Sequence, residues 1–162
     1  MGIAGYASEV VFSDMKKILF LALCLFAISP LCLMAEEIAA TDSRVTFLGR
    51  AEVENGALRF DWPSTYFRVA FKGKALSMRV SDNKRNFYAV WVDMPTSAEP
   101  TRIVEVKGND TIIDLVLPSD VKKSKIKEHQ VVIQKRTEAG CGTTTVFAFI
   151  TDGKFVQAEP LK

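Results

Sequence analysis

The sequence predicts an all-β fold, an antiparallel two-sheet β-sandwich of jelly-roll type, and three observations carry that expectation. Short runs rich in Val, Ile, Phe and Thr return at spacings of about 8 to 12 residues, each closed by Gly, Pro, Asn or Asp. Within the runs apolar and polar residues alternate with period two, which puts one face of an extended chain in a core and the other in water. Past residue 35 no apolar set repeats at helical spacing over a helix-length stretch. The 162 residues, 48% hydrophobic and 25% charged, suffice for one core and not for two large domains.

Residues 1–35 read as a signal peptide. Met15-Lys16-Lys17 supplies a cationic front, Ile18 to Ile28 an apolar run, and Ser29-Pro30 leads to a small residue at Ala35 that suits a signal peptidase. Glu9 and Asp14 lie ahead of the lysines, where a leader carries no acids, so translation is expected to start at Met15. Cleavage is placed after Ala35, with the stretch down to Ala40 as the alternative. A transmembrane anchor would need about 20 apolar residues, more than this run offers. Lipid attachment at Cys24 or Cys32 would need a small residue directly before the cysteine, where Leu23 and Leu31 stand. Export is therefore expected, to the periplasm, the cell surface or the medium.

Residues 36–43 form a polar lead, and the sandwich spans 44–157. Arg44 to Arg50 is the first strand. Asn55-Gly56, both tolerant of positive φ, then signals a hairpin into Ala57 to Trp62. In Thr65 to Phe71, Phe67, Val69 and Phe71 share one face and Tyr66 and Arg68 the other. Gly73 turns into Ala75 to Ser81, with Leu76, Met78 and Val80 on one side. Asp82-Asn83-Lys84 reads as a turn into Asn86 to Asp93, whose two faces are both apolar, so this strand is expected to be central. After the loop Met94 to Pro100, Thr101 to Lys107 and Asp110 to Leu117 are separated by a turn at Gly108-Asn109. Ser119 to Lys127 carries Lys122, Lys123, Lys125 and Lys127 without an apolar stripe and reads as a solvated connection with at most one helical turn. Glu128 to Glu138 and Thr143 to Asp152 close the set, the last expected to be buried on both faces. Residues 158–162 read as the start of a linker. Several longer crossings favour the sandwich over an up-and-down barrel.

The charge balance, 21 Lys and Arg against 19 Asp and Glu, builds no field of one sign, so no nucleic-acid partner is expected. Three Cys and one His leave too few ligands for a Cys/His zinc site. No metal, cofactor or catalytic residue is assigned. The Gly-x-Ser-x-Gly elbow of serine hydrolases is absent, and His129 is the sole histidine base. Cys141, in Gly140-Cys141-Gly142, is the single thiol left after leader removal, and a hairpin would be needed to bring it to His129. Asp93, Asp114, Glu138 and Asp152 are the strand-end acids that a glycosidase pair would draw on. Asn109-Asp110-Thr111 matches a glycosylation sequon. Trp62, Tyr66, Tyr88 and Trp91 are the aromatic rings eligible to stack on a sugar, with core packing as the competing fate.

Several blocks together carry a family resemblance: Gly49-Arg50, Phe60-Asp61-Trp62-Pro63-Ser64 leading to Phe67 and Phe71-Lys72-Gly73, Tyr88 to Val92-Asp93, and the most distinctive, His129 to Glu138. From Arg44 to Asp152 the chain resembles the N-terminal β-sandwich of the family-two carbohydrate esterases. The resemblance implies a jelly-roll module preceding an SGNH-type α/β hydrolase domain, which removes acetyl groups from plant polysaccharides such as xylan. The catalytic serine and histidine would belong to that second domain, whose Gly-Asp-Ser-like opening is not reached before Gln157 to Lys162. The chain is thus expected to be a non-catalytic accessory module. Arg136 and Glu138, two apart and so on one strand face, are expected either to dock the hydrolase domain or to pair with each other. The alternative is a free-standing secreted β-sandwich that binds glycan or protein.

Overall fold

The computed structural model describes residues 35–122 and 125–160. The expected leader lies outside the described residues apart from Ala35, and so does Lys123. Ten strands are described: β1 Glu36–Ala39, β2 Thr46–Leu48, β3 Glu52–Glu54, β4 Ala57–Phe60, β5 Tyr66–Lys72, β6 Leu76–Val92, β7 Arg102–Val116, β8 His129–Lys135, β9 Thr144–Thr151 and β10 Lys154–Val156. One helical turn, α1, spans Pro118–Val121, and a 3-10 turn spans Ala139–Cys141.

Every ladder is antiparallel. They join into one curled sheet in the order β10-β5-β8-β6-β9-β4-β3, with β1 added on β9, β2 on β5 and β7 on β6. The curl brings distant strands face to face. Phe67 on β5 meets Phe149 on β9 edge to face at 5.4 Å, although two strands separate them in the hydrogen-bonded order. Phe47 and Phe60 complete this aromatic cluster, with centroid separations of 5.1 to 6.2 Å. The alternating faces read from the sequence lie where expected: Phe67, Phe71, Leu76, Met78 and Val80 are fully buried and Val69 nearly so. Each such side chain stabilises the fold by about 1.5–3 kcal/mol on area bookkeeping.

The hairpin at Asn55-Gly56 forms as read, with φ of 50° and 80° and Glu54 paired to Ala57. Two other expected turns do not reverse the chain. Asp82-Asn83-Lys84 and Gly108-Asn109 lie inside β6 and β7, which run 17 and 15 residues without a break. Asp82 pairs with Gly108 and Asn86 with Val106, so three residues of β6 oppose one of β7. Gly108 and Asp110 take up the irregularity at φ of 87° and 47°. Turns and bulges ask for the same residues, those that tolerate positive φ, and composition alone does not separate them. The bulged hairpin serves both halves of the curl: Leu76 to Asp82 pairs with β9, and Tyr88 to Val92 with β8.

Further differences concern the ends. The lead at 36–43 supplies β1, which pairs with Ala148 to Thr151 and buries Ile38. The lysine-rich connection does hold one helical turn, but it buries Val121 in the core. On β9, Thr144, Val146, Ala148, Phe149 and Thr151 are buried while Thr145, Phe147 and Ile150 are half-covered, so its second face is only partly enclosed. Residues 157–160 are tied down as well. Ala158 is buried and donates its N–H to Arg44 O, and the Arg68 guanidinium reaches the Pro160 carbonyl at 3.0 Å.

Candidate functional site

The four candidate sugar-stacking rings divide sharply. Tyr88 is wholly buried, its hydroxyl donating to Thr144 Oγ1 at 2.9 Å, and burial pushes its phenol well above the ordinary range. That ring has no free face for a ligand. Trp91 is also buried, donates its indole N–H to Ala98 O at 2.9 Å, and packs with Ala89, Val132 and the half-buried Tyr66 on the outer face of β5, β8 and β6. Trp62 is different: 51% exposed, it leaves β4 at the strand's end. The Arg50 guanidinium covers one side of it at 5.4 Å from the ring centroid. A cavity of about 350 Å³ opens beside it, lined among others by Arg50, Glu52, Arg59 and Asp61. The Glu52–Arg59 ion pair across β3 and β4 holds that wall at 3.1 Å. An apolar ring with carboxylates and guanidinium groups at its rim suits a sugar, whose C–H face stacks while its hydroxyls take hydrogen bonds.

His129 and Asp93 come together. Nδ1 lies 2.6 Å from Asp93 Oδ2, with side-chain exposures of 4% and 15%. The other oxygen, Oδ1, accepts from the Gln130 N–H at 2.9 Å, and the Asp93 N–H returns a bond to Gln130 O at 2.8 Å. Asp93 sits at φ 56°, a left-handed geometry that Asp tolerates, and this aims its carboxylate back at the strand. Because a carboxylate only accepts, Nδ1 carries the proton. Sequence reasoning named both residues without joining them, since they are 36 positions apart.

Cys141 is not part of this pair. It lies in the 3-10 turn beyond the other end of β8, roughly 20 Å away by strand rise. The candidate acids stay separate too: Asp114 accepts from Ser77 Oγ at 2.8 Å, and Asp152 Oδ1 accepts the Lys74 and Ala75 N–H groups at 2.8 and 3.0 Å. Arg136 and Glu138 are exposed past the end of β8, so strand alternation does not put them on one face, and neither forms an ion pair among the described residues. No group of three or more His, Cys, Asp or Glu able to hold a metal occurs among the described residues.

One side chain that sequence reasoning passed over anchors the Cys141 end. Lys135 is 1% exposed, donates from Nζ to Thr137 O at 2.6 Å and Glu138 O at 3.3 Å, and burial holds its ammonium below the usual lysine range. Beside it Asn86, Thr144, Asp82 and Thr137 share a buried hydrogen-bonded network: Asn86 Nδ2 and Thr144 Oγ1 each donate to Asp82 Oδ2 at 2.6 Å, and Thr137 donates to Asn86 Oδ1. The network fixes the turn from Thr137 to Thr143.

Comparison with known proteins bears on the whole domain. The carbohydrate esterase 2 N-terminal family matches residues 47–160. A solved family two carbohydrate esterase from Cellvibrio japonicus superposes with a TM-score of 0.66 at 21% identity, covering 79% of this chain and 36% of that one. A family two carbohydrate esterase from Clostridium thermocellum in complex with cellohexaose gives 0.60 at 21%, covering 72% and 34%. The CBM36-1 domain of a multidomain xylanase from the hindgut metagenome of Trinervitermes trinervoides gives 0.51 at 9%, covering 78% of this chain and 100% of that domain, so the curled sheet resembles a carbohydrate-binding β-sandwich. No curated protein sequence matches. The chain spans about a third of the length of the solved esterases it resembles. With residues 47–160 matched, more than half its length, this chain belongs to the N-terminal domain family of the family-two carbohydrate esterases.

Proposed function

We propose that the chain is a non-catalytic accessory module, a jelly-roll β-sandwich belonging to an exported acetylxylan-type carbohydrate esterase. It supports an SGNH-type hydrolase domain and contacts polysaccharide at Trp62. The observation that carries the reading is the match of residues 47–160 to an N-terminal domain family whose solved relatives are about three times as long. The separation of His129 from Cys141 by the length of β8 supports it, because an acyl-transfer site needs nucleophile and base within hydrogen-bond reach. The Arg68–Pro160 contact directs the chain's C-terminal end across the outer face holding Trp91, Val132 and Tyr66. That face, not the Arg136–Glu138 turn, is the better candidate for the hydrolase contact. Residues 1–35 act as the export signal.

For the glycan, the Clostridium thermocellum relative was solved with cellohexaose, a β-linked chain whose flat faces suit an exposed indole. Titrating the purified protein with cello- and xylo-oligosaccharides should change Trp fluorescence, and Trp62→Ala should remove the change. A response that survives in Trp62→Ala would relocate the site. On an activated acetate ester the protein should turn over no faster than its His129→Ala, Cys141→Ser variant; a rate lost in that variant would overturn the non-catalytic reading. A free-standing binding module is the second reading, favoured by the full coverage of the xylanase's CBM36-1 domain.

A further inference from the structure

The largest cavity described is lined by His129. It measures about 710 Å³, inside the range of about 300–1,000 Å³ typical of small-molecule sites. Val121 of α1 and Ile126 give it an apolar wall, and Lys74, Lys122 and Lys127 stand around it. Asp93 is not among its lining residues. His129 turns Nδ1 to Asp93, and its Nε2, which forms no hydrogen bond among the described residues, is the ring's remaining polar atom.

The charges here do not cancel. No carboxylate is among the lining residues, and of the acids next to them in sequence Asp120 pairs with Arg102 at 2.9 Å and Glu128 with Lys72 at 3.5 Å. Lys74, Lys122 and Lys127 are exposed and have no ion pair among the described residues. An apolar wall, three uncompensated ammonium groups and one oriented imidazole nitrogen describe a ligand with an apolar face, a negative charge and a hydroxyl.

We infer that this cavity takes a carboxylated sugar, a uronic acid residue carried on an oligosaccharide. The ring's C–H face lies on Val121 and Ile126, its carboxylate among the three lysines, and a hydroxyl donates to His129 Nε2. The inference rests on the carbohydrate reading above and adds an acidic subsite apart from the Trp62 cavity, with which it shares no lining residue.

The test is amide and imidazole NMR on the purified protein, with four probes: a xylo-oligosaccharide bearing one glucuronic acid branch, the same oligosaccharide unbranched, free glucuronate, and inorganic phosphate. The branched probe should shift the His129 ring and the amides of Gly73 and Val121, binding at least tenfold more tightly than free glucuronate or phosphate. Lys74→Gln, Lys122→Gln, Lys127→Gln, all at exposed positions, should abolish those shifts while leaving the Trp62 response to the unbranched probe intact. Equal shifts from phosphate would reduce the cavity to a general anion site and overturn the inference. So would a branched probe that perturbs only the Trp62 region, an outcome that leaves the glycan reading standing. If no oligosaccharide perturbs either cavity, the glycan reading itself fails.

Discussion

The two ends of β8 each bury a basic side chain and solve the problem in opposite ways. At the N-terminal end His129, 3% exposed, is held by a carboxylate. At the C-terminal end Lys135, 1% exposed, is held by neutral carbonyl oxygens of the turn that follows it. A carboxylate that accepts from Nδ1 satisfies the ring's donor in full, whereas carbonyl dipoles only offset part of the hydration that an ammonium loses, and the Lys135 ammonium is accordingly pushed down in pKa. The ends also differ in what they leave over. Lys135 spends its donors closing its own turn, while His129 lines a cavity and its Nε2 forms no hydrogen bond among the described residues. The contrast separates a polar group used up in holding the fold from one held ready for something else.

Removing the tightly enclosed cation should have the largest effect. Lys135→Ala takes the ammonium from the Thr137 and Glu138 carbonyls and opens a void, and should cost about 3 kcal/mol by urea denaturation. Lys135→Met keeps the aliphatic stem and should recover part of that; equal losses would mean that the ammonium contributes nothing. At the other end, Asp93→Asn keeps the left-handed backbone but takes away the charge facing His129, and should cost about 2 kcal/mol in the same assay. If it costs more than Lys135→Ala, the contrast between the ends is reversed. As a control away from both, Glu36→Gln breaks the bridge to Arg44 and weakens the bond accepted from the Phe155 N–H, for about 1 kcal/mol or less. The Arg44 guanidinium holds the Glu36 carboxyl below its usual 4.5, so the wild type should lose this contribution as pH falls through that lowered value, and the variant should not.

The smallest signature is a slope. Because the folded Lys135 releases its proton below the usual 10.5, the unfolded chain holds more protons between the two values, and unfolding free energy should rise with pH there. Read below pH 10, before the buried Tyr88 phenol begins to oppose it, the rise should vanish in Lys135→Met. A slope unchanged in that variant would assign it to another group.

Much of this was legible in the residues and some was not. Phe67, Val69 and Phe71, or Leu76, Met78 and Val80, announce their buried face because a strand's period of two is local. The strand β1 is not legible because Glu-Glu-Ile-Ala is too short to show alternation, and its partners lie beyond residue 147. The bulges at Asp82 to Arg85 and Gly108 to Asp110 read as reversals in the sequence because the residues that tolerate their backbone geometry are the same ones that turns use. The Asp93–His129 pair was hidden for a third reason: side chains meet where strands are laid side by side, and that depends on the whole topology. Lys135 defeats composition altogether, since lysine is almost never buried.

The pairing of the first strand with the ninth also constrains how the polypeptide comes to life. Residues 36–39 find their ladder at 148–151, and Glu36 accepts the N–H of Phe155, so the earliest part of the domain to leave the ribosome must wait for nearly the last. At about 5–20 residues per second of synthesis, the nascent domain stays unclosed for seconds. Its slow, non-local closure then makes early maturation a matter of keeping the open chain apart from its neighbours.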